Sequence, residues 1–157
     1  MEARMDLTGN ALMNKVIPHL ATAGRLTMTS SIPAATLELV RLRASQINGC
    51  AFCTDMHTKE AAHAGESAIR LNLVAVWREA TVFTDAERAA LELTERATRV
   101  ADGAEGVSDE VWAAVTKHYD EDQIAALLTT IALINAFNRL NIMIRQPAGS
   151  YVVGQLG

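Results

Sequence analysis

Aromatic residues are scarce in this sequence: Phe, Trp and Tyr together make up 4% of 157 residues, although half of all residues are apolar. The core must therefore be built mainly from Ala, Leu, Ile and Val, which suits closely packed helices better than a sheet sandwich. Repeats, low-complexity tracts and interdomain linkers are also lacking. A chain of this length can bury a sizeable core without disulfide staples. We therefore expect residues 1–157 to form a single compact all-α domain of about six or seven helices.

Basic patches and long apolar runs are also missing. The formal net charge is −4, and Lys and Arg are scattered without forming a stripe or a tail, which argues against nucleic acid as a partner. The N-terminus lacks the basic-then-apolar layout of a secretory signal, and no uninterrupted apolar run approaches the roughly 20 residues that a bilayer span needs. We expect a cytoplasmic protein that does not bind membranes.

Capping residues and hydrophobic spacing predict the helices. Pro18 is expected to kink or split the first one, and Ser31 is expected to cap the second. In the sixth, we expect Val111, Trp112 and Val115 to be buried. The last helix follows Asp120 and is apolar on almost every side, so it should be a central helix covered by neighbours or by another subunit. The predicted ranges are 10–25, 33–46, 50–65, 67–80, 84–101, 108–118 and 120–145.

Cysteine occurs only twice, at Cys50 and Cys53, and His57 follows four residues after the second. In a reducing cytosol such a close pair is catalytic, redox-sensing or metal-binding more often than a structural crosslink. If the helix starts near Cys50, both thiols lie in its first turn, where free backbone N–H groups favour a thiolate. His57 then lies one turn beyond Cys53 and can take its proton or stabilise its anion. A thiol oxidised to sulfenic acid would have its resolving partner beside it.

Glu38, followed by Cys50, Cys53 and His57, resembles the core motif of the alkylhydroperoxidase D-like (AhpD-like) branch of the carboxymuconolactone decarboxylase family. The similarity covers roughly residues 35 to 140 and extends more loosely through 77–91 and 135–140. It implies an all-helical fold that assembles as a homo-oligomer, either a trimer or a hexamer. It also implies a proton relay in which Glu38 acts through His57 to deprotonate Cys53.

The resemblance further implies that Cys53 attacks a hydroperoxide, that Cys50 resolves the sulfenic acid to a disulfide, and that a lipoyl-bearing protein or another dithiol reduces it. No bound cofactor is required. Phe52 departs from the pattern, because some family members carry a histidine there that assists the relay, and phenylalanine cannot carry a proton. True carboxymuconolactone decarboxylases do not depend on a cysteine pair, so its presence argues against ring-acid decarboxylation.

The leading hypothesis is thus a thiol-dependent peroxidase or disulfide reductase with an antioxidant role. Two alternatives stay open beside it. Cys50, Cys53, His57 and His63 could bind zinc, although one continuous helix cannot easily wrap four ligands around a tetrahedral centre. The protein could also be a non-catalytic redox sensor or scaffold, and the cysteines could be unreactive buried side chains.

Overall fold

A computed structural model describes residues 2–103 and 105–156, and within these ranges all regular secondary structure is helical. The expected all-α class and the number of helices are therefore confirmed. A 3₁₀ turn, Val74–Val76, follows the fourth helix. The seven α-helices are α1 (Met13–Thr27), α2 (Ala34–Asn48), α3 (Ala51–His63), α4 (Ala68–Leu73), α5 (Asp85–Thr98), α6 (Asp109–His118) and α7 (Glu121–Ile144).

Most of the predicted helix starts are confirmed by hydrogen bonds of their capping residues. Thr84 and Glu87 form a capping box at α5, and Asp120 and Gln123 form another at α7. Ser67 and Ser108 accept backbone N–H groups at the starts of α4 and α6. These side chains satisfy donors that would otherwise lack partners in the first helical turn.

Three predicted details at the helix boundaries are wrong. Ser31 does not cap α2, because its hydroxyl accepts a hydrogen bond from Gln123 Nε2 at 3.0 Å and Pro33 occupies the N-cap position instead. The fourth helix ends at Leu73, where the chain tightens into the 3₁₀ turn. The fifth helix ends at Thr98, three residues before the predicted end.

Pro18 neither splits α1 nor ends it. Proline lacks the N–H that would bond to the carbonyl four residues earlier, here that of Asn14. Asn14 is solvent-exposed, so water can satisfy the free carbonyl and the helix continues to Thr27.

The centre of the fold is α2, which packs against α3, α5 and α7. Its two sides are buried in different clusters. Leu37 and Val40 pack with residues of α5, α6 and α7, whereas Leu39 and Leu42 pack with Trp77 and its neighbours. A helix enclosed in this way holds its side chains in fixed positions, which is what a site built on α2 requires.

The last helix, α7, contacts α1, α2, α3, α5 and α6. In the described part of the chain, α7 is the one helix that is long and apolar enough to cross a membrane, with a mean hydropathy of 1.4. The core helix of a soluble protein meets the same two criteria. The prediction of a central helix is only partly correct within one chain. Leu127 is fully buried, but Leu128, Ile142 and Met143 are exposed.

The prediction that Trp112 is buried is also wrong. This residue is 41% exposed, whereas Val115 on the same helix is completely buried. Because α6 is short and packs mainly against α5, only one side of it meets the core, and Val115 lies on that side.

Candidate active site

A left-handed glycine positions the two cysteines. The backbone of Gly49 has φ of +70°, and the N–H of Cys50 bonds to the carbonyl of Ser45 at 2.9 Å, so α2 ends in a tight turn. Glycine takes this conformation without the penalty that a Cβ carries. The turn lets α3 start at once and pack against α2.

Cys50 is the N-cap residue of α3. Its Sγ accepts a hydrogen bond from the backbone N–H of Cys53 at 3.4 Å. Both cysteines are unbridged and 1% exposed, and they share a small cluster with Ala44 and Ile134. The two thiols therefore lie together at the positive end of a helix, shielded from bulk water.

Glu38 of α2 and His57 of α3 face each other across the contact between the two helices, and His57 lies one helical turn after Cys53. Oε2 of Glu38 lies 2.9 Å from Nδ1 of His57, and Arg41 forms an ion pair with the other carboxylate oxygen. With Glu38 ionised, Nδ1 donates its proton to the carboxylate, which leaves the lone pair of Nε2 available. Nε2 is buried and has no hydrogen-bond partner.

The pKa of Glu38 reflects opposing effects. Burial by itself raises the pKa, but the hydrogen bond and charge of His57, together with the Arg41 guanidinium, outweigh burial and hold the pKa below the usual carboxyl value. Glu38 is therefore a carboxylate at neutral pH, as a partner that orients a histidine must be.

The two thiols differ in acidity. The hydrogen bond from Cys50, helped by the amides of Asn138 and Asn141 and opposed by burial, lowers the pKa of Cys53 to about 7. The hydrogen bond to Cys53, burial and the neighbouring negative charge together raise the pKa of Cys50. Near neutral pH a substantial fraction of Cys53 is therefore the thiolate, whereas Cys50 stays protonated and can donate a hydrogen bond to it.

Two asparagines of α7 complete the surroundings of the thiols, and neither was among the predicted site residues. Asn141 Nδ2 lies 3.3 Å from Cys53 Sγ, and the amide of Asn138 lowers the pKa of both thiols. The signal that could have found them is the presence of several asparagines, including Asn135, in an otherwise apolar helix. Buried amides in such a helix need polar partners.

Phe52, the residue between the cysteines, packs against the C-terminal segment, residues 146–156. Its ring meets that of Tyr151 edge to face, with centroids 6.1 Å apart. Lys59 Nζ donates to the carbonyls of Gly149 and Tyr151 at 3.1 and 3.0 Å, and Asp55 accepts the N–H of Gly149 at 2.8 Å. The position at which some relatives carry a histidine is thus a packing position here.

An open depression of about 650 Å³ lies beside the start of α3, on the same side as the C-terminal segment. Residues from the α2–α3 turn, the first turns of α3 and the C-terminal segment line it: Gln46, Gly49, Ala51, Thr54, Asp55, Ala148 and Gly149. It brings solvent close to the cysteine-bearing turn.

The structure gives no support to the zinc alternative. Within residues 2–103 and 105–156, no three His, Cys, Asp or Glu side chains converge as metal ligands would. His63, the fourth ligand of that alternative, is exposed at the end of α3.

Fold and site together define a class: all-helical, AhpD-like proteins with a Cys-X-X-Cys pair at the start of a helix whose inner side is buried. The sequence model of the Carboxymuconolactone decarboxylase family matches residues 17–96. The chain is 41% identical over 126 residues to the uncharacterized protein YdfG of Bacillus subtilis (strain 168). The aligned residues cover 80% of this chain and 84% of YdfG. The chain belongs to the carboxymuconolactone decarboxylase family, which confirms the resemblance.

Two solved structures show how widely the fold is used. A protein of unknown function from Agrobacterium tumefaciens, named as a candidate antioxidant defence protein AhpD, superposes with a TM-score of 0.87 at 31% identity, covering 96% of this chain and all of the other. The debrominase Bmp8 superposes with a TM-score of 0.70 at 18% identity, covering 88% of this chain and 76% of its own. At that identity the second comparison shows the fold alone.

Proposed function

We propose that this protein is a thiol-dependent peroxidase or disulfide reductase with an antioxidant role, acting through Cys53 and Cys50. One observation carries the proposal. Glu38 orients a buried His57 whose Nε2 has no partner, one helical turn after a thiol with a lowered pKa. A histidine oriented by a carboxylate, one helical turn from an activated thiol, supplies the base and the nucleophile that nucleophilic catalysis requires.

The first chemical step is the attack of Cys53 on a hydroperoxide. Nε2 of His57 takes the thiol proton, and the thiolate sulfur attacks the outer peroxide oxygen as the O–O bond breaks. The leaving alkoxide takes up a proton and departs as an alcohol. Cys53 is oxidised to a sulfenic acid and the peroxide is reduced by two electrons.

The second step forms a disulfide. The Cys50 sulfur attacks the Cys53 sulfenic acid and displaces its hydroxyl group, which leaves as water together with the Cys50 proton. Positions three apart in a helical turn meet the roughly 4.4–6.8 Å Cα separation that disulfides tolerate. An external dithiol, such as a dihydrolipoyl group, then reduces the bond and is itself oxidised to a disulfide.

The same residues would serve as a disulfide reductase if the substrate were a disulfide. Cys53 would attack a substrate sulfur, the first substrate thiolate would leave, and Cys50 would then resolve the mixed disulfide. The two reactions share their nucleophile and resolving thiol but differ in the leaving group.

Steady-state turnover tests the proposal. Purified protein is given a hydroperoxide, or a small disulfide, with dihydrolipoamide as reductant, beside Cys53→Ser and His57→Gln. We expect turnover by the wild type, none by Cys53→Ser and a strong reduction in His57→Gln. If peroxide forms the Cys50–Cys53 disulfide but no dithiol supports turnover, the non-catalytic redox-sensor alternative is favoured instead.

We also propose a homo-oligomer, as the family resemblance implies. The apolar side chains Leu128, Ile142 and Met143 of α7 are exposed in the single chain, and burying them against another copy would be favourable. Light scattering after size-exclusion chromatography distinguishes a trimer from a hexamer, and a monomer at micromolar concentration would contradict the proposal.

A further inference from the structure

The amide of Asn141 is directed at the proposed nucleophile from a different helix. Its Nδ2 lies 3.3 Å from Cys53 Sγ, although the two residues are 88 positions apart in the sequence. We propose that Asn138 and Asn141 of α7 form a donor pair that stabilises the Cys53 thiolate, and that Asn141 selects Cys53 over Cys50 as the attacking thiol. This inference rests on the proposed function of the cysteine pair.

The orientation of the Asn138 amide is fixed by its neighbours and not by the sulfurs. Asn48 Nδ2 donates to Asn138 Oδ1 at 2.9 Å, so the amide oxygen faces Asn48. Asn138 Nδ2 donates to Ser45 Oγ at 3.1 Å. Ser45 Oγ donates its own proton to the carbonyl of Arg41 at 2.8 Å, so it accepts from Asn138. The network therefore fixes the Asn138 amide, with its oxygen toward Asn48 and its N–H groups on the opposite side, where one of them bonds to Ser45.

The network is also held in place by burial. Asn138 and Ser45 are completely buried, and Asn48 is anchored by a second bond to Asn135 Oδ1 at 2.9 Å. Asn135 in turn donates to Thr98 Oγ1 at 3.1 Å. The Asn138 amide therefore cannot turn to exchange its oxygen for its N–H groups, and N–H donors in a shielded site favour an anion.

The two asparagines act differently on the two thiols. The Asn138 amide lowers the pKa of both thiols and so favours ionisation of either. Asn141 donates only to Cys53. The asymmetry between the thiols therefore depends on Asn141, together with the hydrogen bond that Cys50 donates to Cys53.

The test measures thiol ionisation without any peroxide. Iodoacetamide alkylation of the reduced protein is followed from pH 5 to 10 by mass spectrometry of the peptide that carries both cysteines, with fragmentation to show which one reacts. Asn141→Leu keeps the approximate shape of the side chain but removes the donors. Asn141 is only partly buried, so the substitution should be tolerated, and Asn141→Ser restores a smaller donor.

We expect the alkylation midpoint of Cys53 to rise by about one pH unit in Asn141→Leu, with a roughly tenfold lower alkylation rate below pH 7. Asn141→Ser should recover part of the loss. The matched control is Thr130→Val on the same helix, because Thr130 is buried and its hydroxyl has no hydrogen-bond partner; its midpoint should equal that of wild type.

An unchanged midpoint in Asn141→Leu, with a wild-type melting temperature, would overturn the inference. If that variant does not fold, Asn141→Ser decides: the inference requires its Cys53 midpoint to lie above that of wild type, and an unchanged midpoint would overturn it. The alkylation midpoint and the peroxide turnover are measured separately. If wild type shows no turnover but its Cys53 midpoint still depends on Asn141, the proposed function is contradicted and this inference is supported.

Discussion

Glu38 and His57 lie 19 residues apart in the sequence, and their side chains meet at 2.9 Å across the contact between α2 and α3. The glycine turn at the end of α2 makes the contact possible, because it allows α3 to pack back on α2 directly after Gly49. Arg41 fixes the second carboxylate oxygen. The pair is thus held by two helices and an ion pair, and not by an exposed loop.

The first prediction concerns this pair. His57→Gln and Glu38→Gln should each slow the reaction of Cys53 with hydroperoxide by about 100-fold or more, which is the contribution usual for a positioned base. The measurement is the second-order rate of thiol loss after rapid mixing and acid quenching. His63→Gln is the matched control, because His63 is an exposed histidine of the same helix. Equal rates in all three variants would exclude the relay.

The second prediction concerns the acidity of Cys53. Because its pKa is lowered to about 7 from the 9.0 of a free thiol, alkylation should rise through a midpoint near pH 7. Cys50→Ser keeps a donor and should retain that midpoint, whereas Cys50→Ala removes the donor and should move the midpoint upward. Identical midpoints in the two variants would show that the Cys50 hydrogen bond does not matter.

The lowered pKa of Cys53 also affects the free energy of unfolding. A thiol with a lowered pKa in the folded state stabilises the fold fully above the unfolded value of about 9 and loses this contribution as the pH falls through about 7. The free energy of unfolding of wild type relative to Cys53→Ala should therefore increase between pH 7 and pH 9, as measured by urea denaturation. A constant difference across this interval would contradict a lowered pKa.

The third prediction concerns Glu95, a carboxylate that is only 8% exposed. It accepts hydrogen bonds from Trp77 Nε1 at 3.0 Å and Arg43 Nε at 2.7 Å, and it also pairs with Arg78. Glu95→Gln should lower the free energy of unfolding by about 2 kcal/mol, because it leaves the Arg43 guanidinium without its counter-charge and leaves Arg78 with Glu92 alone.

The pKa of Glu95 fixes how this stability difference should change with pH. Burial raises the pKa of Glu95, but its three donors outweigh burial, so the folded-state pKa lies below the ordinary value of 4.5. The stabilisation is present above that value and is lost as the pH falls through the lower one. The stability difference between wild type and Glu95→Gln should therefore shrink below pH 4.5, and a difference that grows there would contradict the assignment.

The fourth prediction concerns the C-terminal segment, residues 146–156, which is docked on α3. Tyr151→Ala removes the ring that packs on Phe52, so the backbone N–H groups of Gly149 and Gly154, which bond to Asp55 and Glu60, should exchange faster with deuterium. Tyr151→Phe keeps the ring and should show a smaller change. Unchanged exchange in Tyr151→Ala would mean that the polar contacts alone hold the segment.

The local parts of this structure were predictable, and the parts that depend on distant contacts were not. Capping residues such as Thr84 and Asp120 act within four residues, so their helix starts were correct. The predicted cap at Ser31 was wrong because its hydroxyl bonds instead to Gln123, which is 92 residues away. The predicted burial of Trp112 was wrong because hydrophobicity alone does not say which side of a short helix meets the core.

The candidate site shows the same division. Cys50, Cys53 and His57 could be grouped from their spacing, since they share the start of one helix. The placement of Glu38 beside them came from a family resemblance and not from local pattern. Asn138 and Asn141 were missed because contact with the thiols depends on how α7 packs against α2 and α3, and a sequence pattern within α7 does not reveal that packing.

The most direct test of the central claim is a single-turnover oxidation. Reduced protein receives one equivalent of a hydroperoxide, is quenched with N-ethylmaleimide and is examined by mass spectrometry, beside Cys50→Ser with dimedone to trap a sulfenic acid. We expect a wild-type chain two hydrogen atoms lighter with a Cys50–Cys53 disulfide, and a dimedone adduct on Cys53 in the variant. Two alkylated thiols in wild type, with no adduct in the variant, would contradict it.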